Sequence, residues 1–207
     1  MRKLLIIGAG GHGAVVANVA DEMEVFTEIA FLDDGEILQC LRFPVIGKTQ
    51  DISQYVQEYE FFVAIGNGVT RKKVMENIQA LGGTIATLIH PKAVIAKGVT
   101  LGEGTVVMAG AVIEPRAQVG KGCIVNTSSS LNHDVVLGDF VHVAVGAHLA
   151  GTVKVGDICW IGIGAVIKNN VNVCSQAFIG AGCVVIKDIN EVGTYVGVPA
   201  RRITKND

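Results

Sequence analysis

A chain of 207 residues, half of them hydrophobic and only 17% charged, suits one large domain or two small ones with a substantial core. A net charge of −2 gives no electrostatic footing for nucleic acid, and no apolar run is long enough to cross a membrane. Five cysteines, an odd number without C-x-x-C spacing, argue against both a disulfide framework and a zinc site and fit a reducing cytoplasm.

Residues 1–85 read as alternating strands and helices. KLLIIG (3–8) is a short apolar strand, too brief and too quickly followed by glycines to be a signal peptide. GHGAVVANVADEM (11–23) has helical spacing, EIAFLDD (28–34) is a strand ending in two acids, EFFVAIGN (60–67) is a third strand, and VTRKKVMENIQAL (69–81) is an amphipathic helix. The pattern predicts a small parallel sheet with packed helices, a Rossmann-like β-α-β domain. On that second helix, Arg71, Lys72 and Lys73 read as an exposed face.

The first strand-to-helix turn, GAGGHG (8–13), satisfies G-x-G-x-x-G. Asp33 closes the next strand, where the dinucleotide fingerprint has its acid. A pyrophosphate would rest on the helix N-terminus there. The short first half leaves no room for the second mononucleotide half of an NAD fold, so a nucleotide-diphospho sugar suits this turn better. A glycine cluster that only permits a tight turn is the competing explanation.

From Ile89 the period becomes six. Aliphatic residues recur at every sixth place from Ile89 to Val185, and four places after each stands a small or β-branched one, such as Ala111, Cys123, Ala147 and Cys183. A strict hexad predicts a β-helix in which three hexads close one triangular coil. Cys123, Cys159 and Cys183 fall on small inward positions and read as core filler. Residues three hexads apart stack, which puts Pro115 one coil before His133 and Gly151 one coil after it. His133 takes an outward turn position beside open space, where a solvated surface histidine is the plain alternative to a base. His148 reads as an exposed turn residue.

The unbroken hexads and the tail GVPARR (197–202) resemble the hexapeptide-repeat acyltransferases. That resemblance implies a left-handed parallel β-helix over 86–190, a C-terminal tail over 191–207, and a homotrimer with active sites in clefts between prisms. The stretch NTSSSLNHDVVLGDFVHVAVGAHLAG (126–151) is similar to nucleotide-amino-sugar N-acetyltransferases of the UDP-N-acetylbacillosamine type, within the sialic-acid O-acetyltransferase-like group. The resemblance implies acetyl-CoA as co-substrate, no metal, and a nucleotide-linked, UDP-type amino sugar as acceptor, in bacterial glycan biosynthesis. By residue it implies His133 as general base, Asp134 as its activator, and His142 near the thioester. It places the Gly151 amide on the thioester oxygen and Ile163 and Ala181 along the CoA groove. In the N-terminal domain it implies Gly10, Gly11 and His12 at the diphosphate, and Asp33, Asp34 and Gly66 at the nucleoside, with Asn67 as a neighbour. Arg201 and Arg202 are candidates for the CoA phosphates or for solvated charge. O-acetylation of sialic acid, an NAD-sensing module, and a metal hydratase using His133, His142 and His148 are the other readings.

Overall fold

The computed structural model describes residues 2–203, so the end of the expected C-terminal tail lies outside the described residues. The chain divides after Pro91 into two compact units. The division falls beyond the expected position at 85 because Thr84–Ile85 pairs with the sheet of the first unit, and the Ile89 N–H meets Met23 Sδ at 3.3 Å.

The first unit runs β1 (Arg2–Ile7), α1 (Gly11–Glu22), β2 (Phe26–Leu32), β3 (Gln39–Cys40), β4 (Phe43–Gly47), β5 (Glu60–Val63), α2 (Gly68–Ala80) and β6 (Thr84–Ile85). Its sheet has the order β3-β4-β2-β1-β5-β6. Every pairing is parallel except the β3–β4 hairpin. Leu4 to Ile7, Ala30 to Leu32 and Phe61 to Val63 are buried without alternation. Continuous apolar runs are what a parallel strand covered on both faces requires. α1 contributes Val16, Ala17, Val19 and Ala20 to this core. α2 starts on Asn67, whose side chain accepts from the Thr70 N–H at 2.9 Å, an N-cap bond. Its inward residues are Arg71, Met75 and Ile78, spaced for one helix face.

In the second unit the strands of the repeat are short, each an outward and an inward residue. Each pairs in parallel with the strand three hexads further on, as in Val106↔Ile124, Ser130↔His148 and Gln118↔Val136. The three sheets are the three sides of a left-handed parallel β-helix. The second residue of each strand points inward: Leu131, Val143, Leu149, Ile161 and Ile167 are all fully buried. The expected second inward series holds as well, with Cys123 and Cys183 at 0% exposure beside Ala147 and Val153. All five thiols are free, and burial pushes that of Cys159 up to about 11.

The corner turns from residue 98 to residue 182 each place one residue in the left-handed region. At one corner these are Arg116, Asp134, Thr152 and Asn170, at another mostly glycines, among them Gly146, Gly164 and Gly182. At the third corner coils are tied by side chains that accept from the backbone of the coil before. Asp139 receives the Lys121 N–H, Asp157 that of Asp139 and Ser175 that of Asp157, at 2.8, 2.8 and 3.0 Å. Gly120, Gly138 and Gly156 leave room for this ladder, since a Cβ on any of them would lie within 2.5 Å of the accepting oxygen. The chain after Asn190 stays on the column: Thr194–Val196 pairs in parallel with Phe178–Ile179 and antiparallel with Arg201–Arg202.

Candidate active site

The turn Asn132–Asp134 joins two sides of the prism. Its backbone is locked to the coils on both sides, with the Asp134 N–H on Pro115 O at 3.2 Å and the Thr152 N–H on His133 O at 2.9 Å. Adjacent residues on a strand point apart, yet Asp134 has φ of 60° and its side chain returns beside its neighbour. The His133 Nδ1 lies 2.8 Å from Asp134 Oδ2. The carboxylate also receives both arms of a guanidinium from the coil before, Arg116 Nε on Oδ1 at 2.6 Å and Nη2 on Oδ2 at 2.8 Å. Such a fork is the strongest geometry available to an ion pair. The Arg116 guanidinium, then the His133 ring, hold the Asp134 carboxyl well below the usual carboxylate range. An ionised carboxylate only accepts, so Nδ1 carries the ring proton and Nε2 is left as the basic nitrogen.

The ring extends over Gly151. A Cβ at 151 would stand 2.4 Å from His133 Nε2 and 2.5 Å from Cε1. Glycine is therefore a steric requirement of this ring position. The His133 side chain is 57% exposed, which leaves the ring open to a reactant. Among the described residues, the Gly151 N–H donates to no backbone carbonyl.

His142 sits on one side of the column, 7% exposed, at the head of an aromatic stack. Its ring centroid is 4.2 Å from that of Trp160, which stacks on Phe178 at 5.8 Å and 10°. Asn126 Oδ1 accepts from the Thr127 N–H at 2.8 Å, so its amide nitrogen faces His142 Nε2 at 3.2 Å. That orientation makes Nε2 the acceptor and puts the proton on Nδ1. Ile163 is 60% exposed, and Val145, one coil earlier in the same corner, is 41% exposed. Ala181 continues the column as an exposed residue. The neighbouring turns at Gly146, Gly164 and Gly182 face open space. The result is an apolar ridge beside bare backbone.

In the first unit, a Cβ on Gly13 would stand 2.0 Å from Gly8 O, so the last glycine of GAGGHG fixes how closely α1 meets the end of β1. A Cβ on Gly10 or Gly11 would meet nothing within 4 Å, and Gly10 is the N-cap of α1. Asp33 ties the loop down: Oδ2 accepts from the Ala9 N–H at 2.7 Å and Oδ1 from the Gly35 N–H at 2.8 Å. Asp34 Oδ1 accepts from the Thr49 N–H at 2.9 Å. A cleft of about 200 Å³ opens beside them, lined by Asp33, Gly35, Ile37, Leu38, Val45 and Lys48. The His12 imidazole is lowered to about 4, first by burial and then by the nearby Arg71 charge.

Arg71, expected on an exposed helix face with Lys72 and Lys73, is instead fully buried. Its Nη1 donates to Ile65 O at 2.7 Å and Gly66 O at 2.9 Å, which fixes the loop after β5. The helical spacing with Met75 and Ile78 turns it inward. Asn67, named as a nucleoside neighbour, spends its side-chain oxygen on the cap of α2. Arg201 and Arg202 are both exposed, and Arg202 is engaged with Glu191 Oε2 at 2.6 Å and Val192 O at 2.7 Å. His148 is exposed as expected but lies on the strand His148–Leu149 rather than on a turn, with Nδ1 2.8 Å from Ser130 Oγ.

The structure thus brings together His133, Asp134 and Gly151, with Arg116 as a fourth member absent from the expected set. Its signal is in the sequence, one coil before Asp134. His142 and His148 lie in different sheets, and His133 is on a turn between sheets. Among the described residues no group of three His, Cys, Asp or Glu is placed to hold a metal ion.

Residues 3–78 match the family described as the PglD N-terminal domain. UDP-N-acetylbacillosamine N-acetyltransferase of Bacillus subtilis (strain 168) is 33% identical over 113 residues, 53% of this chain, and the match spans about half of that relative, 52%. The acetyltransferase domain of PglB from Neisseria gonorrhoeae FA1090, in complex with acetyl coenzyme A, is 41% identical with a TM-score of 0.95, covering 98% of this chain and 99% of that one. PerB from Caulobacter crescentus, in complex with CoA and GDP-perosamine, is 33% identical with a TM-score of 0.94, covering 99% and 98%. With two such relatives aligned over nearly their whole length, this chain belongs to the acetyltransferase family that joins a PglD-type N-terminal domain to a left-handed parallel β-helix.

Proposed function

We propose that this protein transfers an acetyl group from acetyl-CoA to the amine of a nucleotide-linked amino sugar, with His133 as the general base. One observation carries the reading: an ionised Asp134 fixes the proton of His133 on Nδ1 and leaves Nε2 basic and exposed above a glycine. The relatives support the substrates, since the acetyltransferase domain of PglB was solved with acetyl coenzyme A and PerB with CoA and GDP-perosamine. They also favour transfer to nitrogen over the O-acetylation of sialic acid.

The amine nitrogen attacks the thioester carbon as its proton passes to His133 Nε2. The carbonyl electron pair moves onto oxygen, where the Gly151 N–H is the candidate donor. Asp134 stabilises the imidazolium that forms. Collapse restores the carbonyl and breaks the C–S bond, and the departing sulfur takes the proton from the imidazolium. Holding both reactants in one site supplies much of the acceleration.

The ridge of Val145, Ile163 and Ala181, with the open glycine turns beside it, suits the pantetheine arm of CoA, and His142 is assigned to the thioester end. In the N-terminal unit, the bare backbone of Gly10 and Gly11 at the start of α1 suits a diphosphate, with His12 beside it. Asp34, Gly66 and the remaining acceptor capacity of Asp33 are assigned to the nucleoside, which we take to be uridine. A homotrimer fits the exposed apolar residues on two sides of the column, Val94, Val166 and Phe178. A cytoplasmic place in bacterial glycan assembly follows from such a substrate.

The test is His133→Ala assayed with acetyl-CoA and a panel of UDP-, GDP- and dTDP-linked amino sugars, following free thiol. Turnover should fall by about 100-fold or more while CoA affinity is kept. Turnover within threefold of the parent removes the base assignment.

A further inference from the structure

We propose that Arg116, one coil before the His133–Asp134 pair, is a positioning residue that fixes the Asp134 carboxylate and, through it, the His133 ring. The proposal rests on His133 being the base.

The geometry is specific. Asp134 Oδ1 is taken by Arg116 Nε at 2.6 Å, and Oδ2 is shared between Arg116 Nη2 and His133 Nδ1, each at 2.8 Å. Arg116 and Asp134 are both in the left-handed conformation at the same corner, φ 63° and 60°, so the pair is built from successive turns of one repeat. The carboxylate plane is set by the guanidinium fork and the ring is set by the carboxylate. A carboxylate without the fork would rotate among several orientations, only some of which hold the imidazole.

The experiment compares Arg116→Gln and Arg116→Lys with the parent enzyme by the separate effects on kcat and KM in the thiol-release assay and by the downfield NMR resonance of the His133 Nδ1 proton. Loss of the fork in R116Q should lower kcat by about 10-fold with the KM for acetyl-CoA within about twofold, and should broaden or move the Nδ1 proton resonance. R116K keeps the charge but not the fork and should recover only part of that kcat. Should R116Q not fold, Arg116→Met is read the same way. A parental kcat with an unchanged Nδ1 resonance in R116Q overturns the proposal whatever happens to the melting temperature, and so does a full recovery of kcat in R116K. His133→Ala is assayed alongside. Full turnover there overturns the general-base reading itself, whereas an inactive H133A with a parental R116Q overturns only the role of Arg116.

Discussion

Gly151→Ala isolates the ring position from everything else at the site. The new Cβ would lie 2.4 Å from His133 Nε2 and 2.5 Å from Cε1, against an ordinary contact of about 3.5 Å, so the ring must retreat by roughly 1 Å. The backbone has no reason to move instead, because the coil is pinned on both sides by the Thr152 N–H on His133 O and the Asn170 N–H on Gly151 O, at 2.9 and 3.2 Å. Nor does Gly151 adopt the left-handed conformation of its neighbour Thr152, so alanine meets no backbone strain there. A retreat of this size strains the bond between His133 Nδ1 and Asp134 and takes Nε2 off line. Misplacement by about 1 Å costs on the order of 100-fold in rate. The substitution keeps the 151 N–H, so a donor to the thioester oxygen survives.

The expectation is therefore a fall in kcat of about 100-fold in the thiol-release assay, with the melting temperature within a few degrees of the parent. A cycle with His133→Ala sharpens it. If alanine at 151 acts through the ring, it has little further effect once the ring is gone, and the two losses are strongly non-additive. G151A turnover within threefold of the parent, or losses that multiply in the double variant, would refute the steric argument.

Three further outcomes follow from the N-terminal unit. Gly13→Ala puts a Cβ 2.0 Å from a main-chain oxygen, so it should open the first loop, cost several kcal/mol and abolish nucleotide-sugar binding, as read by melting and calorimetry. His12 is neutral in the fold down to about pH 4, whereas an unfolded histidine protonates near 6.5. Stability tied to His12 is thus full above pH 6.5 and is lost as pH falls toward 4, by up to about 3 kcal/mol. His12→Gln should flatten that part of the stability curve, and an unchanged slope between pH 7 and 4 refutes it. Arg71→Met removes the donor to Ile65 O and Gly66 O and should lower stability by about 2–4 kcal/mol in urea unfolding, where an exposed arginine would change it by less than about 0.5 kcal/mol.

The prism is legible because its period is a property of the chain itself. Each hexad supplies one inward aliphatic and one small corner residue, and a spacing of three hexads converts sequence into neighbours without any coordinates. The same rule finds Gly151 beside His133. Applied to Asp134, it leads straight to Arg116. The N-terminal unit yields less. β1, β2 and β5 are apolar runs, whereas β3 and β4 hold Gln39, Pro44 and Gly47 and show no alternation. Arg71 reads as exposed when charge type outweighs helical spacing, although Met75 and Ile78 mark the buried face. Asp33 fits the dinucleotide fingerprint, yet it holds the backbone of Ala9 and Gly35, so the acid that the motif reads as a ribose contact is a loop anchor in the structure.

A parallel β-helix supports the proposed base differently from a loop, because each corner residue is stacked against the corner residues of the neighbouring coils. A group on a loop depends on several contacts of different kinds to hold it. Here one corner supplies the whole set in vertical order, the Arg116 fork below, Asp134 and His133 in the middle, and the absence of a side chain at Gly151 above. The site is therefore only as precise as the coil spacing, which is held by main-chain bonds from the Asp134 N–H to Pro115 O and from the Thr152 N–H to His133 O, 3.2 and 2.9 Å long. A hexad inserted or deleted on the N-terminal side of residue 116 shifts the whole stack without changing it. One inserted between 116 and 134, or between 133 and 151, takes the partners to a different corner. Tolerance to inserted hexads should thus be sharply position-dependent, with activity keeping to the three-hexad register even where the added hexad preserves the fold.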